Sequence, residues 1–146
     1  MGTSEGALLD DRRCFACGPE NEHGLGLRFH YSDGTAHCHY TAGERFGGWA
    51  GMLHGGVVAT MLDEAMAHAA LARGMHAVTA RLEVRFRRPA PTGVSLLLEG
   101  IVTGRRGRAL DLAATLSDGA GCVYAEGHGR FIAEPLTDRA AHPARE

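Results

Sequence analysis

His54, Gly55 and Gly56 open a long apolar segment, and two acids, Asp63 and Glu64, lie well inside it. A carboxylate in apolar surroundings is partly desolvated. That raises its basicity and equips it to take a proton from water or to attack a carbonyl carbon itself. A glycine at a helix start presents an unpaired N–H at the positive end of the helix dipole and lets a ligand approach the backbone. A carbonyl oxygen seated there is polarised, and negative charge that develops on it is stabilised. The plainer alternatives are a tight glycine turn and an acid that caps or pairs on a helix surface. The apolar context disfavours a merely solvated acid.

Spacing adds a constraint. Eight residues on one helix separate Gly55 from Asp63 by about 12 Å along the axis. A reacting carbonyl must lie about 3 Å from each group. One helix cannot serve both. Two antiparallel helices from two copies of the chain can, each pairing its own Gly55 with the other's Asp63, so the spacing predicts a homodimer with two shared sites.

The elements that must hold these residues are legible. The helix is predicted over residues 54–73, closed by Gly74. Val57, Val58, Met61, Leu62, Ala65 and Ala69 form a broad apolar stripe, and a helix this apolar should be buried. Before it, "LGLRFHYS" and "TAHCHYTA" read as two strands around an Asp33-Gly34 turn. After it come "AVTARLEVRFRRP", "GVSLLLEGIVTG", "GRALDLAATLSD" and "GCVYAEGHGRFIA". Strict alternation in the first of these puts Val78, Ala80, Leu82, Val84 and Phe86 on one face and Thr79, Arg81, Glu83 and Arg85 on the other. The order β-β-α-β-β-β-β predicts an α+β domain in which a largely antiparallel sheet wraps one long helix.

The chain has 146 residues, 15 basic and 17 acidic. It suits a single domain spanning 1–146, with its core at about 14–133 and loose ends on either side. The near balance of charge implies no general affinity for nucleic acid or membrane. The polar, acidic N-terminus lacks the apolar core of a signal peptide, and no aliphatic run approaches a membrane span. A cytoplasmic location is expected, where Cys14, Cys17, Cys38 and Cys122 would stay reduced.

The order of elements, together with "LHGGVVATMLDEAM", "TARLEVRFRRPAPTG" and the N-terminal "CFACGPENEHGLGLRF", resembles the hotdog-fold thioesterases, and most closely their PaaI-like acyl-CoA thioesterase group. The resemblance covers about residues 14–133. It implies a hotdog fold of about six strands, hydrolysis of an acyl thioester such as acyl-CoA to free acid and thiol, no cofactor, and dimers that often pair into tetramers. It maps the oxyanion donor onto the Gly55 N–H and the catalytic acid onto Asp63. It gives Thr79, a hydroxyl that can hold water beside a carboxylate, the task of orienting the attacking water. Many relatives carry an Asn or Gln about six residues before the motif histidine, where this chain has Gly48 followed by Trp49. Trp49 is therefore assigned either to the acyl pocket or to packing the loop. His54, Gly56 and Glu64 are expected to support substrate binding; Glu64, pointing about 100° away from Asp63, is the second choice for the catalytic acid and more readily a structural or supporting one.

Coenzyme A carries phosphates, which arginine binds well. Arg85, Arg87 and Arg88 form one candidate cluster; Arg105, Arg106 and Arg108 form a second, from which Arg105 and Arg106 are expected to hold the nucleotide end. Cys14-Phe15-Ala16-Cys17 has the spacing of half a zinc site, but no second pair follows. Cys38 with His37 or His39 would be needed to complete it, and alternation places Cys38 on the opposite face. The pair is therefore read as a folded N-terminal turn that packs beside the sheet, using Pro19 and Asn21, and no metal is expected. Three rival functions remain: a hydratase or dehydratase on the same scaffold, whose motifs around its histidine differ from this one; a non-catalytic acyl-thioester binder, which would have no need of Asp63; and, more weakly, a zinc-dependent interaction module built on the Cys14–Cys17 pair.

Overall fold

A computed structural model of the chain describes residues 8–134. The terminal stretches expected to be loose fall, for 1–7 and 135–146, outside the described residues.

The helix α1 spans Gly55–Ala72. His54 caps its N-terminus, its ring Nδ1 accepting from the Gly56 N–H at 2.9 Å. At the other end Gly74 adopts φ 77°, and the Met75 N–H returns to the Ala70 carbonyl, which closes the last turn. Six strands accompany it: β1 His30–Ser32, β2 Thr35–Thr41, β3 His76–Phe86, β4 Ser95–Arg106, β5 Ala109–Ser117 and β6 Val123–Glu134. They form one antiparallel sheet in the order β1-β2-β4-β5-β6-β3. α1 touches all six, so the sheet wraps the helix as the hotdog fold requires.

The helix lies in contact with the sheet backbone at Gly100 of β4. A Cβ there would stand 2.2 Å from the Ala65 carbonyl oxygen, so only glycine allows the approach. Met61, Leu62, Ala65, Met66, Ala69 and Ala70 are fully buried on the helix, against Leu98, Leu112, Leu116 and Phe131 from the sheet. This interior burial is the main favourable term in the fold.

Two sequence-based expectations need correction. The first strand is short: only His30–Ser32 pairs with β2. Leu25, Leu27 and Phe29 are buried but belong to an irregular segment whose N–H groups bond to the Cys14–Cys17 turn, Leu25 to Phe15 and Leu27 to Ala16. The turn takes the hydrogen bonds a strand partner would have taken.

The second correction concerns β3. Thr79 pairs with Phe131 and Arg81 with Arg130, so Ala80 is an extra residue in a bulge. The bulge resets the alternation. Thr79 shares a face with Phe131, which is fully buried against the helix, and Leu82 and Val84 lie opposite Gly129 and Gly127 on that same face. Thr79 is therefore on the helix side with Leu82, Val84 and Phe86, and not on the opposite, polar face. Strict period-two reading cannot detect one inserted residue.

Candidate active site

Position 55 is the first residue of α1, and its N–H has no acceptor among the described residues. The neighbouring Gly56 N–H is taken by His54. Because the His54 Nδ1 accepts that bond, the neutral ring carries its proton on Nε2. The loop before the helix is pinned by the Leu53 N–H on the Ala90 carbonyl and the His54 N–H on the Phe46 carbonyl. Gly48 stands where relatives are expected to carry an amide side chain. A Cβ at Gly48 would lie 3.3 Å from the His54 Cα, so that place is filled by close backbone approach.

A cavity of about 320 Å³ opens at this end of the helix. Gly55, Trp49, Phe86, Arg88 and Tyr124 are among the residues that line it. Trp49 is 82% exposed and lies on the cavity wall. Its surroundings are apolar, with Leu53, Val58 and Ala125 on the wall, and suit an acyl or aryl group.

Asp63 sits two turns along α1, outside that cavity. The Thr79 hydroxyl donates to its Oδ1 at 2.7 Å, a contact the β3 bulge makes possible. Burial pushes the Asp63 carboxyl above the ordinary aspartate range. The Thr79 hydrogen bond pulls it partly back, and the charge on Glu64 adds to the rise. The arrangement leaves the other carboxylate oxygen to accept a proton. The chain thus brings Asp63 and Thr79 together and holds Gly55, Gly56, His54 and Trp49 together, but it keeps the two groups apart.

Arg87 and Arg88 line the cavity, whereas Arg105 and Arg106 do not. Arg87 is paired with Glu126. The Arg88 side chain has no anionic partner among the described residues. Arg105 turns back to the Gly107 carbonyl in the β4–β5 hairpin. Phe86 and Tyr124 were not singled out in the sequence, and only the pairing of β3 with β6 brings them to one wall.

Glu64 is placed away from the cavity. It pairs with His68 one turn on, Oε2 to Nε2 at 3.2 Å, and accepts from the Cys14 thiol at 3.7 Å. Burial opposes its ionisation, but His68 and the two thiols outweigh that and hold its carboxyl below the usual range. A hydrogen bond from the Cys17 thiol holds Cys14 down to about 7, and Cys17 itself is pushed up. The Cys-x-x-Cys segment folds as a turn, closed by the Gly18 N–H on the Cys14 carbonyl, but its cysteines contact Glu64 and His68 of the helix, where packing beside the sheet was expected. His68 is a residue the sequence reading missed as its partner. The only signal was its i+4 spacing from Glu64.

One long helix gripped by a curved antiparallel sheet of six strands is the architecture of the hotdog fold. Comparison with known proteins agrees. The thioesterase superfamily model matches residues 50–123, and the chain belongs to that superfamily. Acyl-coenzyme A thioesterase THEM4 of Bos taurus is 32% identical over 96 residues, covering 65% of this chain and 39% of that protein. The chain thus spans about two fifths of the length of this curated relative. A solved thioesterase superfamily protein superposes with a TM-score of 0.80 at 29% identity, over 86% of this chain and 69% of its own. The Escherichia coli PaaI protein from the phenylacetic acid degradation operon gives 0.68 at 22% identity, over 74% and 83%. A Streptococcus mutans protein solved with acetyl-CoA bound gives 0.70 at 15% identity, over 77% and 91%. The last two likenesses speak for the fold alone. Among the described residues, no helix is long and apolar enough to cross a membrane.

Proposed function

We propose that the protein is an acyl-CoA thioesterase whose two active sites each lie between two copies of the chain. The observation that carries this reading is the Thr79–Asp63 pair at 2.7 Å on a helix whose first N–H is unpaired at the mouth of an apolar cavity. The thioester carbonyl rests on the Gly55 N–H with its acyl group beside Trp49 and Phe86. Thr79 holds a water against Asp63 of the facing copy. Asp63 takes a proton as the water oxygen bonds to the carbonyl carbon. The oxyanion forms at Gly55, where the donor is already in place. The carbon–sulfur bond then breaks, the sulfur takes the proton from Asp63, and free acid and thiol leave. A raised Asp63 carboxyl suits a base working near neutral pH. Arg88 is assigned to the phosphates of coenzyme A, in preference to Arg105 and Arg106.

The need for a second copy is supported by β3. It is an outer strand of the sheet, and it exposes Val78 at 46%, Leu82 at 37% and Phe86 at 55%. A long apolar edge strand is a surface that pairs with another chain. The reading takes the dimer as the working unit and the domain as residues 1–146.

Thiol release from short, medium, long and aryl acyl-CoA esters tests the activity. Turnover of some of these esters with no hydration of crotonyl-CoA is expected. Hydration would favour the hydratase reading, and binding without turnover would favour a carrier or regulator.

A further inference from the structure

Three metal-binding side chains meet where the N-terminal turn crosses the helix, and a fourth, His68, reaches two of them. The Cys14 and Cys17 sulfurs and a Glu64 oxygen lie within 4.8 Å of one another. The His68 Nε2 reaches two of these groups, at 3.2 Å from Glu64 Oε2 and 3.4 Å from Cys17 Sγ, and Cys14 Sγ stands 3.7 Å from Glu64 Oε2. Ligand atoms around a tetrahedral zinc, at bond lengths of about 2.0–2.3 Å, stand roughly 3.3–3.8 Å apart. These three separations fall near that spacing; the His68 nitrogen lies outside the set whose ligand atoms are all within 4.8 Å of one another, so it must draw toward Cys14 to share an ion. From this geometry we infer that Cys14, Cys17, Glu64 and His68 form a structural zinc site, independent of the thioesterase reading.

The surroundings are those of a built site. The His68 side chain is 3% exposed and that of Glu64 13%. The second ring nitrogen of His68 is held by the Tyr31 hydroxyl at 2.7 Å, and the Phe29 ring stacks on the imidazole at 4.2 Å. A bond at Nδ1 fixes the ring so that Nε2 faces the Cys17 sulfur and Glu64, the arrangement expected behind a metal-bound histidine. The Cys14 sulfur also accepts from the Ala16 N–H at 3.4 Å. Gly18 completes a turn so tight that a Cβ there would lie 2.3 Å from the Cys14 nitrogen. Two thiolates, an imidazole and a carboxylate make a closed set of four. That donor set favours zinc over harder cations and leaves no place for a reactive water. The ion would clip the N-terminal segment onto α1 directly behind Asp63. The pair of cysteines shows only half of this in the sequence, because its partners come from a helix fifty residues away.

Metal content and cobalt spectroscopy of the tag-free, full-length chain, prepared under reducing conditions, test the site. About one zinc per chain is expected. Exchange into Co²⁺ should give thiolate-to-cobalt charge-transfer absorption and the intense visible bands of a tetrahedral ion. Cys14→Ala should lose both signals while Cys122→Ala keeps them. Chelation of the wild-type zinc should lower Tm, a readout that needs no variant to fold. Wild-type protein that holds less than about a tenth of an equivalent of metal and shows no cobalt bands after reduction would overturn the assignment. So would bands that survive unchanged in folded Cys14→Ala.

Discussion

Gly55→Pro and Asp63→Asn each break one half of the proposed site, and mixing them tells whether the halves belong to one chain or two. Proline at position 55 removes the N–H outright. The helix should survive, because proline is favoured at the first helical position. His54 already has the extended backbone a residue before proline needs, with ψ 137°. A Cβ at position 55 meets nothing nearer than the Phe86 ring at 3.7 Å. Loss of one oxyanion donor costs about 10²- to 10³-fold in kcat, and loss of the acid should cost at least as much. Each mutant homodimer is then nearly silent. In a heterodimer of the two, the wild-type Gly55 of one chain faces the wild-type Asp63 of the other. One site is whole and its twin carries both lesions. Differently tagged chains, co-expressed and purified through both tags, should therefore show about half the wild-type kcat per dimer. A heterodimer as inactive as its parents would mean that each site lies within one chain and would refute the shared-site reasoning.

Other outcomes follow from the same geometry. The Thr79 hydroxyl stabilises ionised Asp63, so Thr79→Val should raise the carboxyl further and move the acid limb of the kcat/KM profile to higher pH; a limb that stays put would remove Thr79 from the site. Gly100→Ala would drive a Cβ to 2.2 Å from the Ala65 carbonyl oxygen, and two backbones cannot easily part. A loss at the upper end of ~1–3 kcal/mol is expected in urea unfolding, and an unchanged midpoint would mean that the helix sits farther from β4. Arg88→Glu should raise KM for acyl-CoA by about tenfold or more, while the Arg105→Glu/Arg106→Glu double variant leaves it unchanged; the opposite result would return the nucleotide to the hairpin.

The helix was legible to within a residue at each end because its signals are local: a capping histidine, an apolar stripe and a closing glycine. The strand order along the chain was equally legible. The Ala80 bulge was not, since one added residue leaves no mark in an alternating stretch. It moved Thr79 from the expected polar face to the helix. Arg88 and Tyr124 could not be placed on one wall before the pairing of β3 with β6 was known. Glu64 and His68 showed their mutual spacing, but nothing near them in the sequence pointed to Cys14 and Cys17. What the residues revealed was within reach of a few positions; what they concealed was set by contacts between distant segments.

The most direct measurement of the central claim is kcat/KM for thiol release from the preferred acyl-CoA, wild type against Asp63→Asn, with helix content, Tm and the dimer checked in both. The near-isosteric amide keeps the Thr79 contact and removes the base. A fall of at least about 10³-fold in a protein that is otherwise intact is the expected result. An Asp63→Asn variant within a few-fold of wild type would contradict the account, because hydrolysis would then proceed without the carboxylate.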